Sequence, residues 1–183
     1  MNTNRLSKTI EAALNAQITK EAHASQIYLS FAAWASSQGY AGIANFLFKH
    51  AHEERNHMMK ILEYILKRGA KVEVTSIPNP PENPLNLYNC FEKVFGQEVE
   101  NTKAIYKVVK KSHEEGDWAT WNFLQWFVNE QVEEETLAMN LLDKIKIAGG
   151  ENMSNMAQYS FDRDIENTSQ EITPAQDVTT ANP

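Results

Sequence analysis

Cysteine is almost absent: Cys90 is the single one in 183 residues. One thiol can form neither an internal disulfide nor a Cys-x-x-Cys metal knuckle. Basic charge is also short, with 17 Lys and Arg against 24 Asp and Glu for a formal net charge of −7. No basic stripe or Lys/Arg cluster occurs, which argues against a nucleic-acid partner. No apolar run approaches the ~20 residues that a membrane helix needs. The opening stretch, Met1 to Lys8, lacks the apolar centre of a secretion signal. The expectation is therefore a soluble, cytoplasmic chain without a membrane partner. An acidic balance suits the handling of cations, but most acidic proteins are merely soluble, so charge alone decides nothing.

Glycine and proline are few, 7 and 6, and they act as punctuation. Six glycines (Gly39, Gly42, Gly69, Gly116, Gly149, Gly150) and five prolines (Pro78, Pro80, Pro81, Pro84, Pro174) lie between or beyond long periodic stretches. Those stretches run roughly over 6–38, 42–68, 86–115 and 117–148, with a shorter fifth at about 151–165. Each long one has apolar residues at helical spacing and no proline, which predicts helices. Near 30 residues each, they would be about 40–45 Å long, which favours a bundle. The turns at Gly39–Gly42 and Gly116 are short and predict two antiparallel helical hairpins. The link from Gly69 to Asn86 is long and proline-rich. At roughly 3.3 Å per residue it reaches about 50 Å, enough to cross the bundle and let helices two and three run parallel. The fold class expected is all-α: a four-helix bundle with one long crossover between helices 2 and 3, plus a short fifth helix. One domain over 1–166 and a polar, aromatic-free, disordered tail over 167–183 complete the organisation.

The acidic residues fall where the core should be. The inward stripe of the first helix reads Ile10, Leu14, Glu21, Tyr28, Ala32. The second reads Ile43, Leu47, His50, Glu54, His57, Ile61, Ile65. The third reads Leu87, Phe91, Val94, Glu98, Ile105, Val109, and the fourth Leu124, Phe127, Gln131, Glu134, Ala138, Leu141, Ile145. Each helix thus interrupts its apolar stripe with a carboxylate near its middle. One buried, unpaired carboxylate costs several kcal/mol, and four together repel one another. A multivalent cation between them is the simplest compensation. Glu54 and His57, at i and i+3, can reach one metal from one face. Oxygen ligands with few nitrogens favour Fe(II) or Mn(II). A Glu-x-x-His with glutamates from the other helices is the di-iron carboxylate pattern of bundle cores. Alone, Glu-x-x-His is weak; with four core glutamates it is strong. The run Glu133-Glu134-Glu135, taken by itself, reads more readily as a solvated face. Tyr28, Trp126 and Phe127 read as core packing before electron donors, and His50 as a structural or outer group. Gly96, inside a helix, can mark a close contact.

Over about residues 5–165 the chain resembles the bacterial non-haem ferritins. The resemblance is strongest in His50-Ala51-His52-Glu53-Glu54-Arg55-Asn56-His57-Met58 and in Asn122 to Glu135. It implies that Glu21, Glu54 and His57 hold one iron, that Glu54 bridges, and that Glu98 and Glu134 hold the second. Gln131 would lie close to the second iron, and Tyr28 beside the site as a hydrogen-bonding or redox-active phenol. A third iron site nearby would use Glu53, Glu130 and Glu133, with Glu134 shared. The implied function is iron storage with ferroxidase activity: Fe(II) is oxidised by O2 (or hydrogen peroxide) and kept as Fe(III) oxyhydroxide in a shell of twenty-four subunits, the fifth helix packing at its four-fold axis.

Departures matter as much. Bacterioferritins carry a second Glu-x-x-His on the fourth helix and a haem-ligating methionine inside the first. Here the fourth helix reads Gln131-x-x-Glu134, and Arg55 stands in the methionine's place, so no haem is expected. Lys49 and Asn56 replace two mineral-nucleating carboxylates of animal ferritins, and Trp121 and Leu124 replace their acidic channel lining. Two rival readings stand beside storage: a di-iron oxidase or peroxidase of the same fold, and a structural bundle whose acidic core binds metal without turnover.

Overall fold

The structure, a computed structural model, describes residues 3–171, with side chains to 166. Four long helices form: α1 (Lys8–Ser37), α2 (Ala41–Lys67), α3 (Leu87–Glu114) and α4 (Trp118–Ile147). A 3-10 turn at Gly150–Asn152 leads to α5 (Asn155–Glu171). No described helix is long and apolar enough to cross a membrane. The fifth helix starts later than expected and runs five residues past the boundary read at 166. The rest of the expected tail, 172–183, lies outside the described residues.

Local chemistry sets the helix ends. Ser7, Asn86 and Asp117 accept hydrogen bonds from the backbone N–H groups of Ile10, Asn89 and Thr120, capping α1, α3 and α4. The α2 N-terminus has no cap of its own, since Tyr40 offers no side-chain bond. Asp162 of α5 supplies one instead, its Oδ1 accepting from Ile43 N–H at 2.8 Å. Beyond α2, Gly69 takes a left-handed φ of 70°. The Thr3 carbonyl would lie 2.5 Å from any Cβ there, so the N-terminal segment pins the start of the crossover.

The crossover then follows α1. Asn15 bonds to Lys71 O and Glu73 N–H, Thr19 to Thr75, and His23 to Asn79 O. This carries the chain from one end of the bundle to the other. The apolar core confirms the outcome. One cluster joins Ala35, Ile43, Leu87 and Ile145, and a second joins Ile10, Ile65, Val108 and Leu124. The start of α3 thus lies level with the start of α2, and its end with the end of α2. The two helices run parallel, as the link length allows. Leu124 is fully buried in the second cluster and lines no surface.

Two glycines make a test of packing. A Cβ on Gly42 would stand 2.1 Å from the Asp162 carbonyl oxygen, where α5 docks on α2. A Cβ on the exposed Gly96 would meet nothing within 4 Å, so no close contact within the subunit explains it. Gly42→Ala should therefore cost about 1–3 kcal/mol by overpacking. Gly96→Ala should add about 0.5–1 kcal/mol by removing helical glycine. Thermal unfolding of chelator-treated protein should move in opposite directions for the two.

Candidate metal centre

Between the two apolar clusters lies a polar layer. Glu21, Glu54, Glu98 and Gln131 are at most 2% exposed, and His57 is 5% exposed. One ligand atom from each of Glu21, Glu54 and His57 lies within 4.8 Å of the others. Helical spacing explains the pair on α2, and the antiparallel α1–α2 hairpin brings Glu21 to it. Glu54 Oε2 and His57 Nδ1 are 3.7 Å apart, too far for a hydrogen bond, and both are buried with no partner. Two facing, unsatisfied acceptor-capable atoms beside a further carboxylate are the arrangement that a cation completes.

Electrostatics support that. Burial, then the neighbouring carboxylates Glu21 and Glu98, push the Glu54 carboxyl well above the usual range. Burial raises Glu98 to about 7. Burial and the nearby Glu98, Glu53 and Glu130 carboxylates raise Glu134 to about 8. Burial lowers His57, leaving its ring neutral and able to bind a metal near neutral pH. Without metal the layer therefore retains protons that a divalent cation would displace.

The remaining expected ligands divide differently. Glu98 belongs to neither of the two close groups of ligand atoms found among the described residues. It accepts hydrogen bonds from Tyr28 O–H and Gln131 Nε2. Burial and the surrounding carboxylates push the Tyr28 phenol well above 10, so it stays a donor. Glu134 instead meets Glu53 at His50, whose Nδ1 is 3.1 Å from Glu53 and 3.5 Å from Glu134. His50 lies between the Tyr28 and Phe46 rings, and burial lowers it to about 4, so it is neutral. Glu130 Oε2 approaches His57 Nε2 at 3.8 Å, while Glu133 faces solvent. Of the run Glu133-Glu134-Glu135, Glu134 is the one that meets His50. Trp126 and Phe127 pack edge-on to His57, and Lys60 covers the Trp126 ring at 3.6 Å.

Three groups here escaped the sequence reading. Gln17, Asn101 and Thr102 are buried in the same layer and bond to its carboxylates or to Gln131. Gln17 lies four residues before Glu21, and Asn101 three after Glu98. Polar residues at those offsets share a ligand's helical face, the one signal that pointed to them.

Known proteins share this arrangement of helices. Residues 11–148 match the family model of the ferritin-like domain. A bacterial non-heme ferritin of Campylobacter jejuni is 40% identical over 144 residues, covering 79% of this chain and 86% of the relative. A Haemophilus influenzae protein named a probable bacterial non-heme ferritin-like protein is 35% identical over 164 residues, covering 90% and 98%. Among solved structures, an open pore ferritin from the archaeon Archaeoglobus fulgidus superposes with a TM-score of 0.84 at 34% identity, covering 91% of this chain and 98% of that one.

Proposed function

The chain belongs to the ferritin-like family, and from that membership we propose that it oxidises Fe(II) with O2 and stores the product as Fe(III) oxyhydroxide. The observation that carries this reading is the pair of buried, partnerless atoms, Glu54 Oε2 and His57 Nδ1, beside Glu21. Fe(II) is the substrate, and an oxygen-rich set with one imidazole suits it. Two Fe(II) lose one electron each; O2 takes both, with two protons, to leave as H2O2.

Glu21, Glu54 and His57 hold one Fe(II), Glu54 reaches across to the other, and Glu98 and Glu134 hold that one. Tyr28 and Gln131 steady Glu98 through their hydrogen bonds. A third iron would take Glu53, Glu130 and Glu133 with Glu134 shared, which requires the solvent-facing Glu133 to turn inward on binding. Storage requires a hollow assembly, so the chain associates with itself; the number of copies, twenty-four, and a cytoplasmic location rest on the resemblance to bacterial non-haem ferritins.

The test is aerobic addition of Fe(II) with an oxygen electrode, followed by electron microscopy of the particles. Oxygen uptake with dense mineral inside a shell is the expected result. Uptake without a shell would point to an oxidase, and binding without uptake to a passive metal bundle. Arg55 stands where a haem-ligating methionine would, so purified protein should show no Soret band. A stoichiometric haem spectrum would contradict the assignment.

A further inference from the structure

Glu21 is held differently from Glu54. Gln17 Nε2 donates to Glu21 Oε1 at 2.7 Å and to Asn101 Oδ1 at 2.7 Å. Asn101 Nδ2 donates to Glu21 Oε2 at 3.1 Å and to Gln131 Oε1 at 3.4 Å. Gln131 Nε2 continues the chain to Glu98 Oε2 at 3.4 Å and to Thr102 Oγ1 at 3.1 Å. Gln17 and Asn101 are each 2% exposed, so water does not compete for these bonds.

The direction of the bonds is fixed by the chain itself. Turning the Asn101 amide over would set its oxygen against Glu21 Oε2 and its N–H group against the Gln17 N–H group. Turning Gln17 would set its oxygen against both Glu21 and Asn101 oxygens. Each Glu21 oxygen therefore receives one neutral donor and retains a lone pair, while Glu54 Oε2 receives none.

We infer that Gln17 and Asn101 are positioning residues that clamp the Glu21 carboxylate in its metal-binding orientation before any metal arrives. The clamped Glu21 needs no reordering to take a cation. Loss of a hydrogen-bonded partner behind a metal ligand commonly costs ~10–100-fold in metal affinity or activity. The inference rests on the reading of Glu21 as an Fe(II) ligand, and the experiment separates the two.

Co(II), a redox-inert stand-in, is titrated anaerobically into the assembled protein and into Gln17→Leu, Asn101→Leu and Glu21→Ala, with visible absorption as the readout. Asn101→Ala, which leaves room for water instead of an apolar branch, serves if a leucine variant does not fold. Steady-state Fe(II) oxidation is measured in parallel. The clamp variants should weaken the first Co(II) by ~10–100-fold while reaching the wild-type saturated spectrum, and their loss of oxidation should fall on KM more than on kcat. Unchanged first-site affinity in folded clamp variants, alongside lost binding in Glu21→Ala, overturns the clamp. A loss confined to kcat overturns it as well. Unchanged binding in Glu21→Ala overturns the assignment of Glu21 and the clamp with it.

Discussion

Glu54→Ala should abolish rapid Fe(II) oxidation, and Glu130→Ala should leave most of it. In the proposed site Glu54 serves both irons, so its loss strips a ligand from each. The expected drop exceeds the ~100-fold upper range for losing an outer partner. Glu130 is half-exposed and reaches His57 Nε2 only at 3.8 Å. Its removal should change the initial rate within about fivefold, the scale of ~1 kcal/mol for an exposed pair, while altering the Fe(II):O2 ratio and later turnover. Both residues lie mid-helix, so the helix-propensity changes are alike. Neither change should unfold the metal-free chain. Removing Glu54 also removes a carboxyl group that is costly to bury beside Glu21 and Glu98, which offsets part of a cavity cost of about 2–3 kcal/mol. Stopped-flow absorbance of Fe(III) formation, with an oxygen electrode, measures the contrast. Equal losses in both variants, or full activity in Glu54→Ala, would sink the ligand assignment.

Metal-free protein should lose stability between pH 6.5 and 8, against the usual expectation of a plateau. Glu98 is raised to about 7 and Glu134 to about 8 from 4.5, chiefly by burial. In that window the folded state binds protons that the unfolded chain does not, so stability falls as pH rises. It is fully present below about 4.5 and lost as pH passes through about 7 and about 8. Glu54, raised in the same direction, adds to the loss. His50 and His57 act oppositely, because their folded values are lowered. Stability from their neutrality is lost as pH falls below about 6.5, so the carboxylate effect is unmasked only above that. The loss over 6.5–8 should be about 2 kcal/mol, obtained by integrating the proton difference at 1.36 kcal/mol per pH unit. For a chain of this size that lowers Tm by roughly 4–8 °C. Chelator-treated protein at one fixed concentration, scanned at several pH values, tests it. Glu134→Gln should flatten the slope, and Co(II) should reverse it by binding the folded state. A Tm independent of pH across the window in wild type would mean that these carboxylates ionise freely, and the centre would not be the dry layer described here.

Much of this protein follows from helical periodicity alone. Helix bounds fell within about two residues of expectation for α1 to α4, because punctuation by Gly39, Gly69 and Gly116 is a local property of the backbone. The parallel course of α2 and α3 followed from the length of one link. The inward turn of Glu21, Glu54 and Glu98 was legible because each sits in register with Leu14, Leu47 or Phe91 on its own helix. Every one of those inferences uses residues of a single helix, or a single length. The assignments that needed two helices were of another kind. That Glu134 meets His50 and Glu53, while Glu130 turns to His57 and Glu133 to solvent, depends on the rotation of α4 against α2. A carboxylate run shows no difference among its members until that rotation is set. The pairing of Gln17 with Asn101 joins α1 to α3 across the core, between residues 84 apart in the chain. The borrowed cap from Asp162 likewise exists only once α5 is docked. A helix repeats every 3.6 residues and so declares which of its own side chains share a face. Which partner each face meets, and in which rotamer, is decided by packing against the other helices.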